Sequence, residues 1–365
     1  MTESFDGRLG LVQRVLPSYR VPFFDALSDA CAGGLSLFAG QPRPEESIDT
    51  SAALQRAQHA PARNIHILST ASPLYFCYQA GLVNWLSRWD PQALILEANF
   101  RYLAYPAALR WMKQRQRPVI GWGLGAPLER GPLSGLRRGF LRQFDALIAY
   151  SQTGAEQYAA AGIPAARIFV APNAVAPAPR GPLPVRPAGI SARPSILFVG
   201  RLQARKRLPA LLRACAALPA ALQPRLAIVG EGPEAASLRE LAREVYPGAE
   251  FVGAKHGAEL APFFQAADLF VLPGTGGLAV QQAMSYGLPV IAAQGDGTQA
   301  DLVRPANGWQ ILPGDDAALA ACLREALSDI SRLRGMGAES YRIVSQEINL
   351  EKMVSVFISA VNTVI

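Results

Sequence analysis

The sequence predicts an α/β fold. Short apolar runs alternate with amphipathic stretches along the whole chain, the length calls for two cores, and a proline-dense segment lies between them. The runs LGLVQRV, IHIL, ALILE, PVIGW, ALIAY and RIFVAP fall in the first half, and SILFVG, LAIVG, EFVG, LFVLP and PVIAA in the second. Strands separated by helical patterns form parallel sheets through right-handed crossovers. At 365 residues the chain exceeds one ordinary domain of about 150 residues, so two are expected.

The boundary is expected in PNAVAPAPRGPLPVRPAGISARP, Pro172 to Pro194, where proline crowds out apolar periodicity and favours an extended, semi-rigid connector. Helical patterns follow at Asp315 to Ser328 and Leu350 to Val361. The second carries Met353, Val354, Phe357, Ile358 and Val361 on one face, which asks for burial. No fixed-period repeat is evident.

Apolar residues make up 50% of the chain and charged residues 17%, a compact globular composition. A net charge of +7 and a pI near 9.4 favour anionic partners: nucleic acid, nucleotide phosphates or an anionic membrane. Cys31, Cys77, Cys215 and Cys322 are too scattered for a zinc site or a disulfide framework, which suits a reduced, cytoplasmic setting. The N-terminal MTESFDGRLG lacks the pattern of a secretory signal, and Asn64 to Ser87 is too polar for a membrane span.

Chemistry concentrates between Phe198 and Gln282. The strand SILFVG runs into Arg201-Leu-Gln-Ala-Arg-Lys206 and then a helix, so two cations five positions apart can hold a diphosphate beside a helix N-terminus. In LAIVGEGP, the glycines let the backbone come close to a ligand or to a neighbouring element. In AADLFVLP followed by Gly274-Thr-Gly-Gly-Leu278 and AVQQAMSYG, a buried strand opens into a glycine loop and a helix, which presents backbone N–H groups to an anion. QGDGTQADLVR reads as another glycine-containing loop.

In this order the elements resemble the donor domain of the retaining family-4-type glycosyltransferases of bacterial cell-surface polysaccharide synthesis. The motifs are FDALIAYSQTGAEQYAAAGIPAARIFVAPNAV, FVGRLQARKR, IVGEGP, FVGAKHGAELAPFFQAADLFVLPG and the loop and helix above, roughly Asp145 to Asp329. The resemblance implies the glycosyltransferase-B fold, two Rossmann-like domains with parallel sheets facing across a cleft that holds the reaction. It divides the chain into an acceptor-side domain over 1–180, a linker over 181–193, a nucleotide-sugar domain over 194–345 and a segment over 346–365 that crosses back to the first domain. It implies that Arg201 and Lys206 neutralise the departing diphosphate, with Gly232, Thr275, Gly276, Gly277, Leu278 and Gln282 holding the nucleotide sugar. Backbone amides of Thr275 to Leu278 would carry the phosphate and sugar. No cofactor and no metal is implied, because the cations do the metal's work.

There is one departure. The family pattern has two glutamates separated by seven residues where this sequence has Gly274 and Gln282. Gln282 keeps a hydrogen-bond acceptor for a ribose hydroxyl, whereas Gly274 keeps nothing. The first domain offers Trp122 where many relatives have a histidine, and His59, His66 and His256 match no base position. Same-face attack with retention lets the departing phosphate accept the proton. The acceptor side is then left to Arg14, Tyr19, Arg20, Glu97 and Trp122.

In PLSGLRRGFLRQF, Leu133, Leu136, Phe140, Leu141 and Phe144 alternate with Arg137, Arg138 and Arg142. Such a helix either rests on an anionic membrane, making the enzyme peripheral on the inner face of the plasma membrane, or packs on its own domain. The expected partners are a nucleoside diphosphate sugar and a saccharide or lipid-linked acceptor. The rival readings are a nucleotide-sugar-binding pseudoenzyme, prompted by the missing glutamates, and a nucleic-acid-binding protein, prompted by the pI. Scattered charge and the absence of any RNP, helix-turn-helix or zinc pattern speak against nucleic acid.

Overall fold

The computed structural model describes residues 3–46, 48–69, 72, 74–126, 134–186 and 193–365. Met1–Pro177 and Leu350–Ile365 pack into one compact unit, and Ala178–Asn349 into another. Residues 187–192 of the proline-dense segment, and Leu133 of the arginine-rich stretch, lie outside the described residues.

The first unit holds strands β1 (Leu9–Val15), β2 (Leu35–Gly40), β3 (Gln58–Pro61), β4 (Arg63–Ile67), β5 (Phe76–Ala80), β6 (Ala93–Glu97), β7 (Val119–Gly123), β8 (Ala146–Ala149) and β9 (Ile168–Val170). Its helices are α1 (Val21–Asp29), α2 (Leu82–Trp89), α3 (Tyr105–Lys113), α4 (Ser134–Leu141) and α5 (Gln152–Ala160). The main sheet runs β3-β2-β1-β6-β7-β8-β9, parallel throughout. Its central strands are buried on both faces, as an all-parallel sheet between helices requires. IHIL is the exception: its first three residues belong to β4, which pairs antiparallel with β5 in a separate ribbon. Alternating exposure along β4 suits a strand with one wet face.

The second unit holds β10 (Ser195–Val199), β11 (Arg225–Val229), β12 (Ala249–Gly253), β13 (Leu269–Leu272), β14 (Val290–Ala293) and β15 (Gly308–Ile311). Its helices are α6 (Leu208–Ala216), α7 (Ala235–Val245), α8 (Ala261–Ala266), α9 (Leu278–Ser285), α10 (Thr298–Leu302), α11 (Asp316–Ser328) and α12 (Ile330–Gln346). Its parallel sheet runs β12-β11-β10-β13-β14-β15, the doubly wound order in which the winding direction reverses between the first and fourth strands. Asp315 caps α11 by accepting from the Ala318 N–H, and Asp329 caps α12 by accepting from that of Arg332. Arg186 ties the incoming chain to this unit: its guanidinium donates to the carbonyls of Phe264, Gln265, Ala267 and Tyr286.

The last helix, α13 (Leu350–Thr363), belongs to the first unit. The Leu350 N–H donates to the Ala176 carbonyl at 3.0 Å, and Asn362 Nδ2 to the Ser4 carbonyl at 3.1 Å. Met353, Phe357, Ile358 and Val361 are buried, while Val354 is half-buried. The Phe357 ring lies 4.9 Å from the rings of both Phe23 and Trp122 in edge contact. Among the described residues no helix is long and apolar enough to cross a membrane. In α4, Phe140 and Leu141 are buried and Leu136 is exposed.

Phe357 fills the seam between α13, α1 and β7, so Phe357→Ala is expected to cost about 3 to 5 kcal/mol by opening a cavity there. Hydrogen exchange at the amides of β7 and β8 reads this in the first unit alone. A loss below about 1 kcal/mol would contradict the packing described.

Candidate active site

In a doubly wound sheet, ligands sit beyond the carboxyl ends of the strands where the winding direction reverses, because the loops there part and leave a crevice. In the second unit that point lies between β10 and β13, whose following loops are the Arg201–Lys206 turn and the Gly274–Gly277 loop. Both motifs singled out from the sequence therefore meet at one sheet edge.

The turn after β10 is anchored by Leu202, which is fully buried and whose N–H donates to the Glu231 carbonyl at 2.9 Å. A Cβ on Gly232 would collide with the Leu202 backbone, and one on Gly230 with the Gly200 carbonyl. The glycines of VGEGP are thus needed for close approach of a neighbouring element. Packing alone accounts for the bare Gly232.

Lys206 ends a short 3-10 turn, Ala204–Lys206, and its Nζ donates to the Thr275 carbonyl at 2.7 Å. The Thr275 N–H in turn donates to the Arg205 carbonyl at 3.1 Å. This corrects one expectation: the Thr275 amide is already engaged within the protein and is not offered to a ligand. The amides of Gly276, Gly277 and Leu278, at the start of α9, have no acceptor among the described residues. Gly274 lies so close to the turn that a Cβ would collide with the Arg205 carbonyl and the Lys206 backbone. No side chain, acidic or other, fits there without moving the loop.

The electrostatics are one-sided. Among the described residues no carboxylate lies within ion-pair distance of Arg201, Arg205 or Lys206, and the Arg201 side chain is exposed. Burial, with a smaller contribution from the neighbouring Arg205 charge, pushes the Lys206 ammonium down to about 8. Half-buried Gln282 lies on α9 with no side-chain hydrogen bond among the described residues. Its neighbour Gln281 is buried and donates to the Ile348 carbonyl at 2.9 Å.

In the first unit the reversal falls between β1 and β6. Arg14, near the end of β1, is locked in a bidentate pair with Glu46 at 2.8 and 2.6 Å. Burial alone would raise Glu46; the Arg14 hydrogen bonds outweigh it and hold this carboxylate below its usual range. Arg20 is buried and stacks over Trp122 at 5.1 Å and over Tyr19 and Tyr150 at 5.4 Å. Trp122 is only 1% exposed, while Tyr19 is 43% exposed.

Glu97 ends β6, and burial raises its carboxyl despite a hydrogen bond from Tyr102. Its Oε2 is buried without a partner among the described residues. Glu97, Trp122 and Tyr150 line one cavity of about 410 Å³, together with Asn99, Phe100 and Arg137. Thus of the five acceptor-side candidates this cavity takes in Glu97 and Trp122. Arg20 sits behind the Trp122 and Tyr150 rings, and Arg14 is spent on Glu46. Sequence reading missed Tyr150, although its position at the end of a predicted strand marked it.

A second cavity, about 1140 Å³, lies at the opposite, amino-terminal edge of this sheet, among Arg110, Lys113, Arg117, Arg142 and Arg167. Among the described residues no group of three or more His, Cys, Asp or Glu side chains is arranged to hold a metal ion.

Comparison with known proteins agrees with this geometry. The family described as glycosyltransferase family 4 matches residues 35–179, and that described as glycosyl transferases group 1 matches residues 193–329. A GDP-mannose-dependent alpha-mannosyltransferase of Mycolicibacterium smegmatis is 34% identical over 166 residues, 43% of this chain and 42% of that protein. Two further curated relatives are matched over 28% and 52% of their length, so the chain spans about half or less of these proteins. The solved lipopolysaccharide outer core galactosyltransferase WaaB, in its apo form, superposes with a TM-score of 0.70 at 16% identity, covering 98% of this chain and 99% of that one. Anabaena Alr3699/HepE in complex with UDP gives a TM-score of 0.67 at 17% identity over 98% and 99% of the two chains. With both sheets wound alike and both family regions present in order, the chain belongs to the glycosyltransferases of the glycosyltransferase-B fold.

Proposed function

We propose that the protein transfers a sugar from a nucleoside diphosphate sugar to a hydroxyl of a saccharide, either lipid-linked or part of a growing polysaccharide, with retention of configuration. The observation that carries this reading is the pair of cations Arg201 and Lys206, which have no carboxylate partner among the described residues, beside the amides of Gly276 to Leu278, which have no acceptor among them, at the reversal of the second sheet. Fixed positive charge and N–H dipoles aimed at a leaving diphosphate stabilise the transition state without reorganisation. The GDP-mannose dependence of one relative and the UDP bound to one structural neighbour support a nucleotide-sugar donor. The name of a second neighbour, a lipopolysaccharide galactosyltransferase, supports a saccharide acceptor.

On this reading the Glu97 cavity of the first unit takes the acceptor, with Tyr19, Arg14, Arg20 and Trp122 shaping its surroundings. Gly232 supports the donor site through the packing of Leu202, and Thr275 through its carbonyl on Lys206. The enzyme works in the cytoplasm, at the membrane face where such acceptors are presented. A second reading, a nucleotide-sugar-binding pseudoenzyme, draws on the bare Gly274, where the backbone of the turn leaves no room for a carboxylate. Hydrolysis and transfer assays with acceptor mixtures separate the two.

Arg201→Ala and Lys206→Ala are each expected to lower kcat/KM by about 2 to 4 kcal/mol of transition-state stabilisation while leaving the fold intact. Steady-state kinetics alongside circular dichroism check this. Near-wild-type turnover in both variants would remove the diphosphate assignment.

Because the Lys206 ammonium titrates near 8, it is charged below that pH and neutral above it. A diphosphate diester keeps its charge through this window, so affinity for a nucleotide sugar should fall as pH rises from 7 to 9. Lys206→Arg, which stays charged, should flatten the profile. Calorimetric Kd values at several pH values decide; equal slopes in the two proteins would contradict it.

Gln282→Glu should keep or improve nucleoside diphosphate affinity and Gln282→Ala lose it, since a ribose hydroxyl needs an acceptor more than a charge. Titration calorimetry with the nucleoside diphosphate reads this directly. The same Kd for all three forms would mean that Gln282 does not face the ribose.

A further inference from the structure

Gln299 is the second residue of α10, just after the glycine turn that follows β14. It is only 4% exposed, and its Nε2 donates to the Gly276 carbonyl at 3.2 Å. A carbonyl oxygen can only accept, which fixes the amide orientation and turns Oε1 away from Gly276. That Oε1 is buried and has no hydrogen-bond partner among the described residues. Gly295 packs against it without offering a side-chain donor, since a Cβ there would lie 3.1 Å from Oε1, and the hydroxyl of the preceding residue, Thr298, is given to Asp296 at 2.7 Å.

The Gly276 backbone touched by Gln299 also borders Lys206, since a Cβ on Gly276 would collide with Nζ. Gln299 and the cation proposed to hold the diphosphate therefore border the same residue, Gly276. A buried acceptor left without a hydrogen is destabilising unless a ligand supplies one. The group joined directly to a diphosphate in a nucleotide sugar is a ring carrying several hydroxyls, each able to donate.

We infer that Gln299 is a sugar-reading residue of this site: Nε2 fixes the glycine loop and Oε1 accepts a hydrogen bond from a hydroxyl of the transferred sugar. The inference rests on the donor reading of the Arg201–Lys206 turn. It gives the sugar a side-chain contact that Gly274 has no room to provide. A site built to accept a hydroxyl discriminates strongly against a sugar lacking it.

The test is calorimetry of wild type and Gln299→Met with UDP, GDP, UDP-glucose and GDP-mannose. In wild type, the matching nucleotide sugar should bind at least about 10-fold tighter than its nucleoside diphosphate, and the Met variant should lose most of that ratio. Equal weakening of both ligands would leave Gln299 a loop-holding residue and overturn the inference, as would no change in either. If Gln299→Met does not fold, deoxy analogues of the matching nucleotide sugar on wild type decide. Removing one hydroxyl should cancel the advantage over the nucleoside diphosphate; no effect from any single deletion overturns the inference. If wild type binds none of the four ligands, the donor reading itself falls. If it binds a nucleoside diphosphate with an unchanged ratio in the variant, only the role of Gln299 falls.

Discussion

The reversal of winding direction in each parallel sheet is the constraint on which the rest depends. At that point the chain leaving one strand crosses to one face of the sheet and the chain leaving its neighbour crosses to the other, so their loops diverge and leave unclaimed backbone groups at the carboxyl ends. In the second unit the divergence is between β10 and β13. It brings a turn rich in cations beside a loop rich in glycine, and neither element would form a site alone.

What the crevice contains follows from how closely these loops pack. The Arg205 and Thr275 main chains are hydrogen-bonded, Lys206 reaches across to the Thr275 carbonyl, and Gln299 holds the Gly276 carbonyl. The loop is therefore fixed before any ligand arrives, and its remaining amides stay oriented. Preorganised donors of this kind act at full strength because nothing must reorient when charge develops. The lowered titration of Lys206 belongs to the same arrangement: a partly desolvated ammonium beside another cation gains most from an arriving anion.

The fold class was legible because apolar runs and glycine punctuation are local signals. Several elements were not. β2 (LSLFAG) and β15 (GWQI) are short runs that periodicity cannot tell from helix ends or loops, and α12 has glycines at 335 and 337 that blur its helical pattern. At the candidate site, the glycines of IVGEGP were readable as a close approach, but only the fold shows that Leu202 makes it. The engaged Thr275 amide depends on a contact across some seventy positions. Gln299 gave no sequence signal at all, being one polar residue after one glycine turn. Trp122 stood out because many relatives have a histidine there, while its burial against Phe23 and Phe357 comes from three separate segments of the first unit.

The most direct test of the central claim is a crystal structure of the protein with a bound nucleotide sugar. The account predicts diphosphate oxygens within hydrogen-bond distance of the Arg201 guanidinium and Lys206 Nζ and of the amides of Gly276 to Leu278. Diphosphate lodged instead in the basic cavity of Arg110, Lys113 and Arg142, with the second unit's crevice empty, would contradict it.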